Sequence, residues 1–130
     1  MNQRKNFSTG AKWESIVGYS RAVRIGNVIE VSGTCAVDVD GNPFALNDPY
    51  QQTKKCLEII QNAIEQLGGN ITDVIRTRIF VTDIQQWMEI GQAHGEVFSS
   101  IRPVTTMVEI SKLISPEYLV EIEATAIVST

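Results

Sequence analysis

The chain is 130 residues long, 43% hydrophobic, with a formal net charge of −4 and no basic block. That length makes one domain able to bury a sizeable core unaided. No stretch supplies the roughly twenty apolar residues a membrane crossing needs, and tight binding to a nucleic-acid backbone wants clustered Lys and Arg that are missing here.

The first dozen or so residues read as an irregular arm, taken as 1–14, before a single domain. Met1 to Lys5 has no apolar run of the signal-peptide kind, so a cytoplasmic protein is expected. Ala22–Ile25 alternates, Gly26-Asn27 turns, and Val28–Ser32 alternates again, a pattern that predicts a hairpin. A short strand is predicted at Cys35–Val37, then a polar loop through Asp40-Gly41-Asn42-Pro43. Asp48-Pro49 opens a helix, with Asp48 as N-cap, Pro49 in the first turn and Gln51 at the third position. Its inner face is Tyr50, Thr53, Leu57, Ile60, Ile64 and Leu67, and Gly68-Gly69 ends it. The next strand runs Asp73–Thr82, with Ile75, Thr77, Ile79 and Val81 on one side and Arg76 and Arg78 on the other. A second helix covers 84–99, facing inward through Trp87, Ile90, Ala93 or His94, and Val97. Strands at Thr105–Ile110 and Leu119–Val128 finish the chain.

Two amphipathic helices and these strands imply an α+β, two-layer sandwich with both helices on one face of the sheet. Side chains alternate along a strand, so Glu121, Glu123 and Thr125 share one face while Val120, Ile122, Ala124 and Ala126 share the other. The helix-free face then collects Arg24, Glu30, Arg76, Arg78, Glu109, Glu121 and Glu123, with Val28, Phe80 and Met107 in phase. A wet face is one reading. Apolar groups interleaved with pairable charges favour the other, an interface between subunits.

Cys35 and Cys56 are the only cysteines and His94 the only histidine. Without a secretion signal the two cysteines are expected to be reduced. These few ligands argue against a zinc site and against Ser-His-Asp or Cys-His catalysis. Gly68-Gly69 lacks the following Lys-Ser or Lys-Thr of a phosphate loop. No metal and no cofactor are expected.

Several ordered motifs carry a resemblance: Gly18-Tyr19-Ser20-Arg21-Ala22-Val23, Ile29-Glu30-Val31-Ser32-Gly33, Gln51-Gln52-Thr53, Asp73-Val74-Ile75 with Phe80-Val81-Thr82-Asp83, Arg102-Pro103, and Val120-Glu121-Ile122-Glu123-Ala124. From about Val17 to Val128 the chain resembles the Rid family, reactive intermediate deaminases also called YjgF or L-PSP. The resemblance implies a chorismate-mutase-like fold, a mixed sheet in a homotrimer, and small-molecule sites in the clefts between subunits. It implies hydrolysis of 2-imino acids and their enamines to 2-oxo acids and ammonia, with an arginine holding the substrate carboxylate and a glutamate positioning the water. Carried over by motif, the glutamate is Glu121, the site tyrosine Tyr19 and the serine Ser32, next to Gly33. Thr105 stands where that arginine would be, and Gly91 where an asparagine would be.

Arg21 and Arg102 are the two cations placed to stand in for the missing arginine, Arg21 the one assigned here to the anion; for both, a surface or inter-subunit ion pair is the favoured plain reading. Glu121 is balanced between a water-positioning base and an ion pair with Arg24, Arg76 or Arg78. Tyr19 either closes over a ligand or wedges between subunits. Ser32 either bonds a ligand or caps a turn. Cys35, Cys56 and His94 read as packing residues, Glu109 and Glu123 as structural. The expected partner is a small molecule, a carboxylate by class. The function is action on a reactive metabolite, by deamination of an imine or enamine; the alternative is a non-catalytic carboxylate-binding or sensing trimer, with RNA cleavage the weakest reading.

Overall fold

The structure, a computed structural model, describes residues 3–129. Its elements are β1 (Arg4–Phe7), α1 (Lys12–Val17), β2 (Ala22–Ile25), β3 (Val28–Cys35), α2 (Pro49–Gln66), β4 (Val74–Val81), α3 (Trp87–Phe98), β5 (Val104–Glu109) and β6 (Val120–Ile127). Single 3₁₀ turns at Ile71–Asp73 and Ile84–Gln86 lead into β4 and α3. The six strands form one sheet in the order β1-β2-β3-β6-β4-β5. Only the β4–β5 pair, joined through α3, is parallel. The fold is thus the expected α+β sandwich: a mixed sheet whose apolar face is covered by α2 and α3.

The long helix forms where its punctuation lies. The Asp48 side chain accepts the Gln51 N–H at 2.9 Å, Pro49 occupies the first turn, and Gly68, at φ +86°, turns the chain out of the helix. Leu57, Ile60 and Ile64 are completely enclosed against Ile29, Ile79, Val81, Val120 and Ile122 of the sheet. Gln52 is equally enclosed. Its amide donates to the Glu117 carbonyl and accepts from the Leu119 N–H, both at 2.9 Å, pinning the loop before β6 to α2.

Two β-bulges decide which residues face outward. Between β3 and β6 the register slips between Val31 and Thr34, and between β4 and β6 between Val74 and Arg76. An extra residue in one strand reverses the phase beyond it. Val74 and Thr77 are therefore both buried, and Ile75, expected inward, is 46% exposed. The first bulge also carries β3 on to Cys35, absorbing the short strand expected at Cys35–Val37; Val37 makes only an isolated bridge to Pro43.

Residues directly opposite on neighbouring strands share a face, and this register corrects three outward assignments. Arg24 opposes buried Ile29; it lies on the helix side, where its guanidinium donates to the Gly26 carbonyl of the β2–β3 turn and to the Leu67 carbonyl, both at 2.8 Å, the second capping the end of α2. Met107 opposes Ile79 and Glu109 opposes Val81, so both also turn from the helix-free face. Glu109 accepts the Ile84 N–H at 3.0 Å. Trp87, expected inward on the second helix, is 56% exposed.

The arm is not irregular. Its first two residues lie outside the described ones, but Arg4–Phe7 pairs along β2 and Lys12–Val17 is helical. An edge strand held by backbone bonds needs no apolar alternation, and only Phe7 is apolar there. In α1 the usual amphipathic order is inverted: Glu14 is buried while Ile16 and Val17 are exposed. Hydrophobic periodicity had nothing to find.

Candidate functional site

On the helix-free face, β6 presents Glu121, Glu123 and Thr125. Two of these are satisfied within the sheet. Arg78 pairs with Glu123 at 3.2 Å, and the Thr125 hydroxyl donates to Glu30 at 2.6 Å. Glu121 is different. Among the described residues no cation lies within ion-pair distance of it. Instead its carboxylate rests on the backbone of Gly33. A Cβ built on Gly33 would stand 2.9 Å from the Glu121 Cδ and 3.1 Å from each carboxylate oxygen. Only glycine leaves room for that approach. The Cys35 thiol donates to the same carboxylate at 3.5 Å. Burial first, and then the adjacent Glu121 charge, push the Cys35 thiol far above its usual range, so it is a neutral hydrogen-bond donor and no nucleophile. Cys56 is unbridged and fully enclosed.

Beneath Gly33 lies a polar support. The Arg21 guanidinium donates to the Gly33 carbonyl at 2.8 Å and to the Thr34 hydroxyl at 3.0 Å. Its Nε lies 3.7 Å from Glu14. Glu14 in turn accepts from the hydroxyls of Ser8, at 2.5 Å, and Thr9, at 2.6 Å. Arg21 is only 7% exposed. Its observed work is to hold the bulge that seats Glu121, and its Nη1 is fully committed to it. Tyr19 stacks on this guanidinium, 5.5 Å from its ring centre, with the ring partly open to solvent. Ser32 donates to the Ser20 carbonyl at 2.7 Å, tying β3 to the chain before β2. Tyr19, Arg21, Ser32, Gly33 and Glu121 thus converge within one protomer.

Thr105, Gly91 and Arg102 do not join them. Thr105 opposes Thr77, which opposes buried Ala124, whereas Glu121 opposes Phe80, which opposes Val108. Thr105 and Glu121 therefore lie on opposite faces of the sheet. The Thr105 hydroxyl lies 2.8 Å from that of Thr77, itself 2.9 Å from His94 Nε2 on α3. Burial holds His94 below its ordinary pKa. Gly91, one helical turn before His94, has only the Trp87 ring near its missing side chain, at 4.0 Å. Arg102, His94 and Pro103 line a cleft of about 340 Å³ at the end of α3. His94 was read from the sequence as packing and Thr77 only as sharing a strand face with Ile79 and Val81, and the support at Glu14 was not foreseen; a buried acid beside exposed apolar neighbours gives no periodic signal.

Among the described residues no three His, Cys, Asp or Glu side chains cluster as metal ligands, and no helix is long and apolar enough to cross a membrane.

The fold and this arrangement define a class: a small two-layer α+β protein with an unpaired glutamate seated on a glycine bulge of its bare sheet face. Residues 9–128 match the family model described as endoribonuclease L-PSP. An uncharacterised protein of Streptomyces coelicolor is 36% identical over 122 residues, 94% of this chain and 90% of that one. A RutC family protein of Pyrococcus abyssi is 30% identical over 108 residues, 83% and 84% of the two chains. Among solved structures, a Mycobacterium tuberculosis member of the YjgF/YER057c/UK114 family superposes with a TM-score of 0.89 at 48% identity, covering 97% of this chain and all of that one. The Escherichia coli YjgF gene product superposes with a TM-score of 0.82 at 26% identity, covering 95% and 98%. The chain belongs to the endoribonuclease L-PSP family, the YjgF/Rid family whose motifs it carries.

Proposed function

We propose that the protein is a cofactor-free hydrolytic deaminase of a small imine or enamine, acting in clefts between the subunits of a homotrimer. The observation that carries this reading is the Glu121 carboxylate: without a cation among the described residues, and seated over Gly33 on the bare sheet face. A sheet that needed the acid only for cohesion would pair it, as it pairs Glu123 with Arg78. In the proposed reaction Glu121 takes a proton from a water that attacks the carbon of the C=N bond. Glu121 delivers that proton to nitrogen to form the amino alcohol, then carries the hydroxyl proton from oxygen to nitrogen as the C–N bond breaks, giving the carbonyl compound and ammonia. The bare face supports assembly, since Val28, Val104, Val108 and Ile127 are exposed there among the charges. Assembly would bring the Glu121 face of one copy to the Thr105 edge of another, which no single protomer does. Thr105 offers a neutral hydroxyl already bonded to Thr77, so carboxylate recognition at that position is lost. The substrate preference therefore differs from that of arginine-bearing relatives.

The test generates 2-iminobutyrate or 2-aminoacrylate in situ and follows imine loss. A rate above buffer that disappears in Glu121→Gln supports the deaminase. No acceleration, together with saturable carboxylate binding, supports instead the non-catalytic trimer that kept the cleft and lost the chemistry. The net charge of −4 gives no support to RNA as the substrate.

A further inference from the structure

The arm before β2 is fastened to the sheet by charge. In α1 the one buried residue is Glu14, while Trp13, Ile16 and Val17 stay open to solvent. The helix is docked through a carboxylate and not through an apolar face. The Glu14 side chain, 3% exposed, accepts from the Ser8 and Thr9 hydroxyls, and its backbone carbonyl accepts the N–H groups of Gly18 and Tyr19, both at 2.9 Å. Beside it stands the Arg21 guanidinium. Arginine and carboxylate often meet as a fork of two parallel hydrogen bonds. Here the ion pair is a single approach of 3.7 Å from Nε, and that buried Nε has no hydrogen-bond partner. The guanidinium is drawn instead toward β3, where Nη1 serves the Gly33 carbonyl and the Thr34 hydroxyl. Thr34 donates in turn to the Ser32 carbonyl at 2.7 Å. Ser32 and Gly33 are the two residues that stand against Glu123 in the bulge, so Arg21 and Thr34 between them hold both of its carbonyls.

We infer that Glu14 and Arg21 are positioning residues: through the bulge at Ser32-Gly33, the amino-terminal arm fixes where the Glu121 carboxylate stands. A buried ion pair is a weak source of stability, and apolar docking through Ile16 would hold the arm without desolvating two charges. What the pair supplies is direction. Glu14 keeps the guanidinium under the bulge, and the guanidinium holds the Gly33 carbonyl. The Gly33 backbone is in turn the surface on which Glu121 rests, so closely that a Cβ there would stand 2.9 Å from the Glu121 Cδ. A displacement of Gly33 is therefore a displacement of the seat. Arg21 makes no ion pair with Glu121 itself among the described residues, so its influence passes through the backbone. As a statement about where Glu121 stands, the inference is independent of the chemistry; as a statement about rate, it rests on the function proposed above.

The test reads the place of Glu121 through Cys35, whose thiol donates to that carboxylate. Alkylation of the whole protein at about pH 9 is followed by mass spectrometry, with enclosed Cys56 as the gauge of unfolding. Glu14→Gln is expected to speed Cys35 by at least about threefold, the effect of half a unit in a thiol pKa, with Cys56 silent. In the Glu121→Gln background there is no carboxylate charge to displace, and the same Glu14→Gln change is expected to add nothing. Ser8→Ala combined with Thr9→Val, at exposed positions, takes both hydroxyl donors from Glu14 and is expected to act in the same direction. Lys54→Ala, which breaks the 3.3 Å pair with Glu96 on the helical layer, is expected to leave Cys35 as in the wild type. An unchanged Cys35 in the arm variants, or an equal acceleration with and without the Glu121 charge, overturns the inference. Where Glu14→Gln exposes Cys56, the Ser8/Thr9 variant decides by the same comparison. Imine turnover is measured beside it: the arm variants are expected to lower kcat roughly tenfold with KM within about twofold of wild type. Coupling of Cys35 to the arm in a protein that hydrolyses no imine refutes the deaminase and leaves the positioning; turnover that the arm variants leave at the wild-type kcat refutes the positioning and leaves the deaminase.

Discussion

Replacing Gly33 with alanine separates what the bulge does for stability from what it does for the site. The added Cβ would stand 2.9 Å from the Glu121 Cδ, where carbon atoms ordinarily settle at about 3.5–4.0 Å. The carboxylate must then retreat by roughly 0.6–1.1 Å. Its neighbour on the other side is the flexible end of a half-exposed side chain, so the retreat is cheap. Overpacking on the order of 1 kcal/mol is offset by about 0.4–1 kcal/mol from the stiffer unfolded chain, since Gly33 has no positive φ. The melting temperature at fixed protein concentration is expected to stay within about 4 °C of wild type. Catalysis has no such tolerance: a misplacement near 1 Å costs on the order of 100-fold. Imine turnover and thermal unfolding, measured on the same preparation, are therefore expected to part company. A variant that keeps more than roughly half the wild-type rate would refute the idea that Gly33 seats a working carboxylate, and one that unfolds would refute the cheapness of the retreat.

Other perturbations read the same structure from different sides. Glu121→Gln removes the charge that, after burial, holds the Cys35 thiol up; Cys35 is expected to alkylate faster in the variant at about pH 9–10, followed by mass spectrometry, with enclosed Cys56 silent. His94 is kept neutral by burial, so below about pH 6.5 the unfolded chain binds more protons than the fold. Its contribution to stability is then lost as pH falls from about 6.5 toward the depressed folded value. Denaturant midpoints between pH 7 and about 5.5 are expected to fall less in His94→Asn than in the wild type. Arg24→Ala removes the contacts to the Gly26 carbonyl in the β2–β3 turn and to the Leu67 carbonyl at the end of α2, at a cost of about 2 kcal/mol or roughly 7 °C in melting temperature; a change under about 2 °C would show these contacts to be idle.

What the sequence made legible depends on whether the signal was local. Asp48-Pro49, Gly26-Asn27 and the alternation of Val120–Ala126 each set a structure through neighbouring residues, and each is found where its chemistry puts it. The two bulges are not local. A slip between Val31 and Thr34 shows only in the pairing with β6, and it is the slip that places Gly33 beneath Glu121. The same holds for Arg24. A charge in an alternating strand reads as outward, but a long side chain at a helix end can lie inward and spend its donors on carbonyls. The strand at Arg4–Phe7 has almost no apolar residue to announce it, being held by backbone bonds at the sheet edge.

The same distinction explains why the site residues could be named from motifs but not placed. A motif gives identity and order; the face a residue takes is set by register. Thr105 and Glu121 are each legible as positions, yet the pairing of β5 with β4 and of β4 with β6 sends them to opposite sides of one sheet. With Thr105 tied to Thr77 and His94, and Glu121 resting on Gly33, neither side chain can cross to the other without breaking contacts that hold it. Among the described residues one protomer therefore shows an acid without a cation, Glu121, on one face and an exposed cation without an acid, Arg102, beside the other. Complementary halves that cannot meet within a chain can meet between chains, and a bare face with Val104 and Val108 exposed beside Arg78 and Glu123 has the composition for such a meeting. Under the proposed function, assembly does more than add stability: it completes the pocket.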